Sequence, residues 1–194
     1  MLAKKLKNYN IILASGSPRR QSLLRDLDID FNIKLKSIEE NYPKTLKAAE
    51  ITDYLAELKS KPYLEELSEN DILITSDTIV WLNDEALGKP KNYDEAFKML
   101  SSMSNTHHEV ITSVCISMGT EKKAIINDTV KVFFKKLKEE EIDYYIKEYK
   151  PFDKAGAYGI QEWIGKIGID RIEGSYFTVM GFPVHKLYKE LEKL

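Results

Sequence analysis

An apolar run, Ile11-Ile12-Leu13-Ala14, breaks off into Ser15-Gly16-Ser17-Pro18-Arg19-Arg20. No other stretch of the chain restricts the fold so tightly. The run predicts a short strand ending at Ala14. The residues after it predict a helix that opens at Pro18 with Ser17 as its N-cap. Leu23, Leu24 and Leu27 continue at helical spacing. Arg19 and Arg20 then fall in the first helical turn, where the macrodipole disfavours cations and favours anions. Backbone N–H groups at a helix start, joined by two guanidinium groups, make a strong anion site. A phosphate chain is its simplest occupant.

The rest of the chain alternates strands and helices without repeats. Phe31 to Leu35 reads as extended, and Ala48 to Lys61 as an amphipathic helix with Ile51, Tyr54, Leu55 and Leu58 on one face. Ile72 to Thr75 and Ile79 to Trp81 flank Ser76-Asp77-Thr78 as one buried strand or two joined by a break. Tyr93 to Met103 reads as a helix. Val110 to Met118 and Ala124 to Phe134 form a hairpin around Gly119-Thr120-Glu121. A helix from Lys138 to Tyr149 and a last one opened by Pro183, with Leu187, Leu191 and Leu194 inward, complete the set. The class is α/β with a mixed sheet flanked by helices, since a purely parallel sheet would not accommodate the hairpin.

At 194 residues the chain can form one large domain or two closely packed lobes. Its 29 Lys and Arg against 31 Asp and Glu give a net charge of −2, which argues against a nucleic-acid partner. Cys115 is the only cysteine, so neither an intramolecular disulfide nor a cysteine metal site is available. The basic start Met1 to Lys7 is followed by no apolar stretch long enough for a secretory signal or a membrane helix, which need about 7–15 and about 20 residues. A soluble, cytoplasmic protein without a membrane partner is expected.

Asp77 is the second anomaly, an acidic residue inside an apolar segment, where a carboxylate needs a cation or donors. It reads equally well as a turn residue capping the next element or as a metal or catalytic group. Glu40, in Glu39-Glu40-Asn41-Tyr42-Pro43, taken alone reads first as a solvated loop residue. Two carboxylates beside a phosphate-binding loop suit Mg²⁺, which takes oxygen ligands and is commonly held by one or two carboxylates plus substrate phosphates. Lys59, Lys61, Lys89 and Lys154 are further basic candidates, each weak alone, and Lys59 borders the core face of its helix. Gln161 reads as a surface amide or as a group that matches a base edge. His107 and His108 are neighbours on a strand and point to opposite faces, so they do not share an ion.

In sequence order the chain carries Ala14-Ser15-Gly16-Ser17-Pro18-Arg19-Arg20, Glu39-Glu40, Ser76-Asp77-Thr78-Ile79-Val80, Gly88-Lys89-Pro90 and His108-Glu109-Val110-Ile111-Thr112. Asp153-Lys154-Ala155-Gly156-Ala157-Tyr158-Gly159-Ile160-Gln161 and Gly174-Ser175 leading to Val179-Met180-Gly181-Phe182-Pro183 follow. This series resembles the Maf family of nucleotide pyrophosphatases over nearly the whole length, as a single domain spanning 1–194. The resemblance implies an elongated, inosine-triphosphate-pyrophosphatase-like α/β fold with two lobes and a central cleft. It implies hydrolysis of a nucleoside triphosphate between the α and β phosphates with Mg²⁺ or Mn²⁺, and the Lys-Ala-Gly-x-Tyr-Gly-Ile-Gln form is similar to the dTTP/UTP branch. By position it makes Asp77 the catalytic acid/base residue and Glu40 a metal-site carboxylate. Arg19, Thr78 and Gln161 take positions tied to substrate choice. Ser15, Ser17, Arg20, Lys59, Lys89 and Lys154 take substrate-contacting positions. A homodimer is compatible with the family. Two other readings remain open at this stage: a nucleotide-binding regulator of cell division without turnover, and a house-cleaning pyrophosphatase for non-canonical nucleotides.

Overall fold

The computed structural model describes residues 1–194, apart from the side chains of Lys122 and Lys123. A seven-stranded mixed sheet runs in the order β2-β1-β3-β5-β6-β7, with β4 paired to β3. The strands are β1 (Asn10–Leu13), β2 (Asn32–Ile33), β3 (Asp71–Leu82), β4 (Glu85–Leu87), β5 (His107–Met118), β6 (Glu121–Phe134) and β7 (Ile169–Glu173). The helices are α1 (Leu2–Lys5), α2 (Pro18–Arg25), α3 (Ala49–Ser60), α4 (Tyr93–Met103), α5 (Glu139–Tyr149), α6 (Trp163–Gly168), α7 (Tyr176–Val179) and α8 (Val184–Leu191). β1 lies parallel to β2 and to β3, whereas β4 on β3 and β7 on β6 are antiparallel. The mixed α/β class expected from the hairpin is therefore the observed one.

The chain divides into two compact units, neither of them a continuous segment. The first comprises Met1–Asp77, Thr112–Asp128 and Gly181–Leu194, and the second Thr78–Ile111 and Thr129–Met180. In the first unit Ile12, Tyr63 and Leu73 form a buried cluster, and Leu187 and Leu191 of α8 are fully buried. Leu194 lies beyond the end of α8 and is only half-buried, so the inward stripe ends one turn earlier than its spacing predicted. The second unit packs Ala96, Leu100 and Met103 of α4 and Ile142, Tyr145 and Ile146 of α5 into one core with Val130, Val132 and Phe134 of β6.

Three local outcomes differ from the sequence reading. β3 is one unbroken strand, because Ser76, Asp77 and Thr78 keep the extended conformation instead of forming a break. Asp77 therefore sits in mid-strand, and the reading of it as a turn cap is wrong. On α3 the buried stripe is Ile51, Thr52, Leu55, Ala56 and Ser60, while Tyr54 turns outward. The true repeat is i, i+4, i+8, and it carries Lys59 toward the sheet. β4 was not foreseen: Asn83 and Asp84, at φ of 51° and 63°, make the two-residue turn that suits a tight hairpin.

His107 and His108 separate as their alternation requires. His107 is exposed and stacks on Phe133, and His108 is buried with Nε2 2.8 Å from the Tyr158 hydroxyl. The buried Nδ1 of His108 has no hydrogen-bond partner. Burial, with a smaller contribution from His107, lowers the His108 pKa from 6.5 to about 3. Between those values the unfolded chain binds the proton that the folded chain refuses, so stability rises with pH across that window. The contribution is complete above pH 6.5 and is lost as pH falls toward 3. His108→Gln, which can still bond Tyr158, is expected to flatten this acid slope in urea midpoints measured against pH. An unchanged slope would assign the acid sensitivity to other groups.

Candidate active site

α2 begins as its sequence dictates. Pro18 holds N1, and the Ser17 hydroxyl accepts the backbone N–H of Arg20 at 3.5 Å. The buried Ser15 turns its hydroxyl back to accept the N–H of Ser17 at 3.3 Å, and the Gln21 amide donates to the Ser15 carbonyl at 3.1 Å. Ser15 and Ser17 thus shape the turn through the hydroxyl–backbone bonds that make such residues good caps.

Arg20 does more than line this turn. Its Nε donates to the Gly181 carbonyl at 2.9 Å, and one terminal nitrogen donates to the Ser76 carbonyl at 2.9 Å and the Ser15 hydroxyl at 3.5 Å. The guanidinium ties the start of α2 to the middle of β3 and to the loop before α8. Burial lowers its pKa, Asp77 opposes that, Arg19 adds to the lowering, and Glu40 again opposes it. Both carboxylates therefore act on the same local field as the arginine pair. Gly181-Phe182-Pro183 has a structural purpose as well: it supplies the carbonyl for Arg20, and Phe182 is completely buried.

Asp77 is 5% exposed. On β3 it shares a face with Thr75, whose hydroxyl donates to the Ala56 carbonyl on α3 at 2.6 Å. One helical turn after Ala56, Lys59 Nζ lies 2.6 Å from Asp77 Oδ1. The same ammonium lies 3.1 Å from Glu40 Oε1, on an irregular loop whose carboxylate is about half exposed. Two carboxylates from distant parts of the sequence thus meet at one cation position. This is the place where the sequence reading put a divalent ion, and the donor set suits one: hard carboxylate oxygens from two side chains, one of them open to solvent. Among the described residues no three His, Cys, Asp or Glu side chains gather as a ligand cluster. Two carboxylates leave the remaining positions to water and substrate, as Mg²⁺ prefers.

Thr78, Lys89, Lys154 and Gln161 all belong to the second unit. Thr78 follows Asp77 directly on β3 and points to the opposite face of the strand. Lys89 is exposed, on a loop tied to the next segment by the Gly156 N–H, which donates to the Gly88 carbonyl at 3.0 Å. Gly156 takes φ of +67°, and a Cβ there would come within 2.6 Å of Val80 Cγ2, which explains the glycine in Lys154-Ala155-Gly156. Lys154 is 8% exposed and ion-paired with Asp153 at 2.7 Å and Glu162 at 3.1 Å. Gln161 is half-buried, and its Oε1 is enclosed without a hydrogen-bond partner. Glu162 and Tyr145, which the sequence reading passed over, join this group: the Tyr145 hydroxyl donates to Glu162 Oε2. Glu162 could have been noticed as a charge next to Gln161, whereas Tyr145 sits on an apolar helix face and gives no signal of its own.

Arg20→Lys is the variant that exposes the clamp. An ammonium lacks the planar fork that serves the Gly181 and Ser76 carbonyls together. Stability in urea denaturation is expected to fall by about 1–3 kcal/mol. A lysine variant as stable as the parent would remove Arg20 from this structural role.

Residues 10–194 match the family described as Maf-like protein. A protein of Flavobacterium johnsoniae named dTTP/UTP pyrophosphatase is 59% identical over 194 residues, covering 100% of both chains. One of Flavobacterium psychrophilum with the same name is 60% identical over 188 residues, covering 97% of this chain and 96% of that protein. The solved structure of the Staphylococcus aureus Ham1 protein overlaps 64% of this chain and 71% of its own, with a TM-score of 0.48 and 16% identity. From the family match and the full-length relatives together, the chain belongs to the Maf-like protein family.

Proposed function

We propose that this protein is a nucleoside triphosphate pyrophosphatase that cleaves dTTP and UTP between the α and β phosphates, releasing the monophosphate and pyrophosphate. The observation that carries the reading is the meeting of Asp77 and Glu40 at one cation position, under the influence of the same arginines that open α2. A regulator that only bound nucleotide would not require that pair. The relatives' printed activity supports the choice of substrate. No described helix is long and apolar enough to cross a membrane. A cytoplasmic setting belongs to the same proposal, because that is where the nucleoside triphosphate pool lies. The net charge of −2 disfavours nucleic acid as a further partner.

In this mechanism water attacks the α-phosphorus in line and pyrophosphate departs. Asp77 and Glu40 would hold Mg²⁺ or Mn²⁺, which when bound neutralises phosphate oxygens and lowers the pKa of a coordinated water. Asp77 supplies the carboxylate that either accepts a proton from the attacking water or serves only as a ligand. Lys59 keeps the two carboxylates together while no other cation is present. Arg19 and the capped turn of α2 offset phosphate charge, an electrostatic contribution that needs little rearrangement as the reaction proceeds. Lys89 and Lys154, the latter already paired with Asp153 and Glu162, and Thr78 and Gln161 keep only the substrate-contacting and base-choice roles that their positions in the family motifs imply.

A panel of nucleoside triphosphates with Mg²⁺ or Mn²⁺, scored for pyrophosphate and monophosphate, tests the reading. dTTP and UTP are expected to lead, and Asp77→Asn to lose about 10²–10⁴-fold in turnover with its fold retained by circular dichroism. Tight binding without product would establish the regulator instead, and a purine preference the house-cleaning enzyme.

Lys59→Met examines the cation position without turnover. Asp77 is left buried without its partner, so Tm is expected to fall. Mn²⁺ is then expected to raise Tm in the variant more than in the parent, since the ion no longer competes with an ammonium. Equal shifts in the two proteins would detach the metal from this pair.

A further inference from the structure

Apolar burial seats α3 on the sheet but fixes neither its height nor its rotation, because that driving force has no direction. The N-cap is Ala48, whose side chain has no acceptor for the first N–H groups. Side-chain hydrogen bonds must set the register, and the first two turns of α3 carry them. The Asp53 carboxylate accepts the Ser113 hydroxyl of β5 at 2.6 Å on Oδ1. It also accepts the Asn127 amide of β6, at 3.1 Å on Oδ1 and 3.0 Å on Oδ2. Ser113 and Thr52 are completely buried, with their hydroxyls 2.6 Å apart. Since Ser113 gives its proton to Asp53, Thr52 gives its own to Ser113 rather than to the Ala49 carbonyl at 3.1 Å.

Asn127 is a fixed point for this clasp. Lys186 of α8 donates to its backbone carbonyl at 2.8 Å and pairs with Asp128 at 2.6 Å. All of these residues belong to the first unit. Further along α3 the Ala56 carbonyl takes the Thr75 hydroxyl, and Lys59 then stands between Asp77 and Glu40. Asp53 and Lys59 are separated by about 9 Å along the helix axis. A hydrogen-bonded helix is stiff over that length, so a slip or turn at Asp53 is carried to Lys59. The Lys59 side chain is only 15% exposed and has little room to compensate.

We propose that Asp53, acting through Ser113 and Asn127, is the positioning residue that holds α3 in register and so sets how firmly Lys59 occupies the cation position against a divalent ion. This rests on the metal reading of Asp77 and Glu40 above. An ammonium held tightly on Asp77 is a competitor that an incoming ion must displace, and one held loosely yields sooner. Asp53 acts on that competition only through the helix that carries Lys59.

The test is a double-mutant cycle on the full chain: parent, Asp53→Ala, Lys59→Met and the double variant. Each is followed by urea denaturation without metal and by its Kd for Mn²⁺, read from the EPR signal of the free ion. Without metal, Asp53→Ala is expected to cost less stability in the Lys59→Met background than in the parent, because the pair it supports is already gone. An equal cost in both backgrounds marks a clasp that only holds the fold, and overturns the proposal. With metal, Asp53→Ala is expected to lower the Kd for Mn²⁺ about two- to tenfold and to lower it no further in the Lys59→Met background. An unchanged Kd beside a reduced stability also overturns it. Asp53→Asn keeps an acceptor for Ser113 and is expected to stay closer to the parent in both measurements. Should Asp53→Ala fail to fold, Asn127→Ala, which spares the carbonyl taken by Lys186, replaces it in the cycle. A parent that binds no Mn²⁺ refutes the metal reading, and the cycle without metal then decides whether Asp53 positions Lys59.

Discussion

A carboxylate enclosed in the middle of a strand needs a cation, and much of the first unit is arranged to give Asp77 one. α3 lies along β3 so that the Thr75 hydroxyl meets the Ala56 carbonyl and, one turn later, Lys59 meets Asp77. The helix stripe that buries Ile51, Leu55 and Ala56 is the same one that delivers Lys59, so packing and charge neutralisation share one geometry. Glu40 reaches the ammonium from an exposed loop and brings a second negative charge. Desolvating Asp77 and drawing a second carboxylate to the same lysine is costly by itself. The arrangement is easier to understand as a cation position than as a stabilising salt bridge.

The arginines at the start of α2 complete that balance in different ways. Arg20 is largely committed to backbone carbonyls at Ser76 and Gly181 and holds the loop segments in register. Its influence on a substrate is then chiefly that of a fixed positive charge. Ser15 and Ser17 likewise act first as builders of the turn, with hydroxyls directed to Ser17 and Arg20 N–H groups. An anion site that is already ordered needs little reorganisation when an anion arrives, which is the physical advantage of a capped helix start.

The second unit shows a different economy of structure. The buried Tyr145 and Lys154 and the half-buried Glu162 are joined to one another and to the turn bearing Gln161. Low local dielectric strengthens such a network and makes any broken member expensive. His108 and Tyr158 form a similar internal pair, which explains why a histidine in that motif is neither a ligand nor a surface group.

Local order was readable in the chain wherever neighbouring residues decide it. The strand and capped helix around Ser17, the α4 limits at Tyr93 and Met103, the opposite facing of His107 and His108, and the mixed sheet implied by the hairpin all follow from spacing and capping. The motif series also carried the family. What the tertiary structure decided were contacts between residues far apart in sequence: Lys59 between Glu40 and Asp77, Arg20 on Ser76 and Gly181, Tyr145 behind Gln161. Periodicity shows which face of an element is apolar, but not which element will cover it. Partners for buried charges and hydroxyls exist only once the chain has packed, because it is burial itself that makes them necessary.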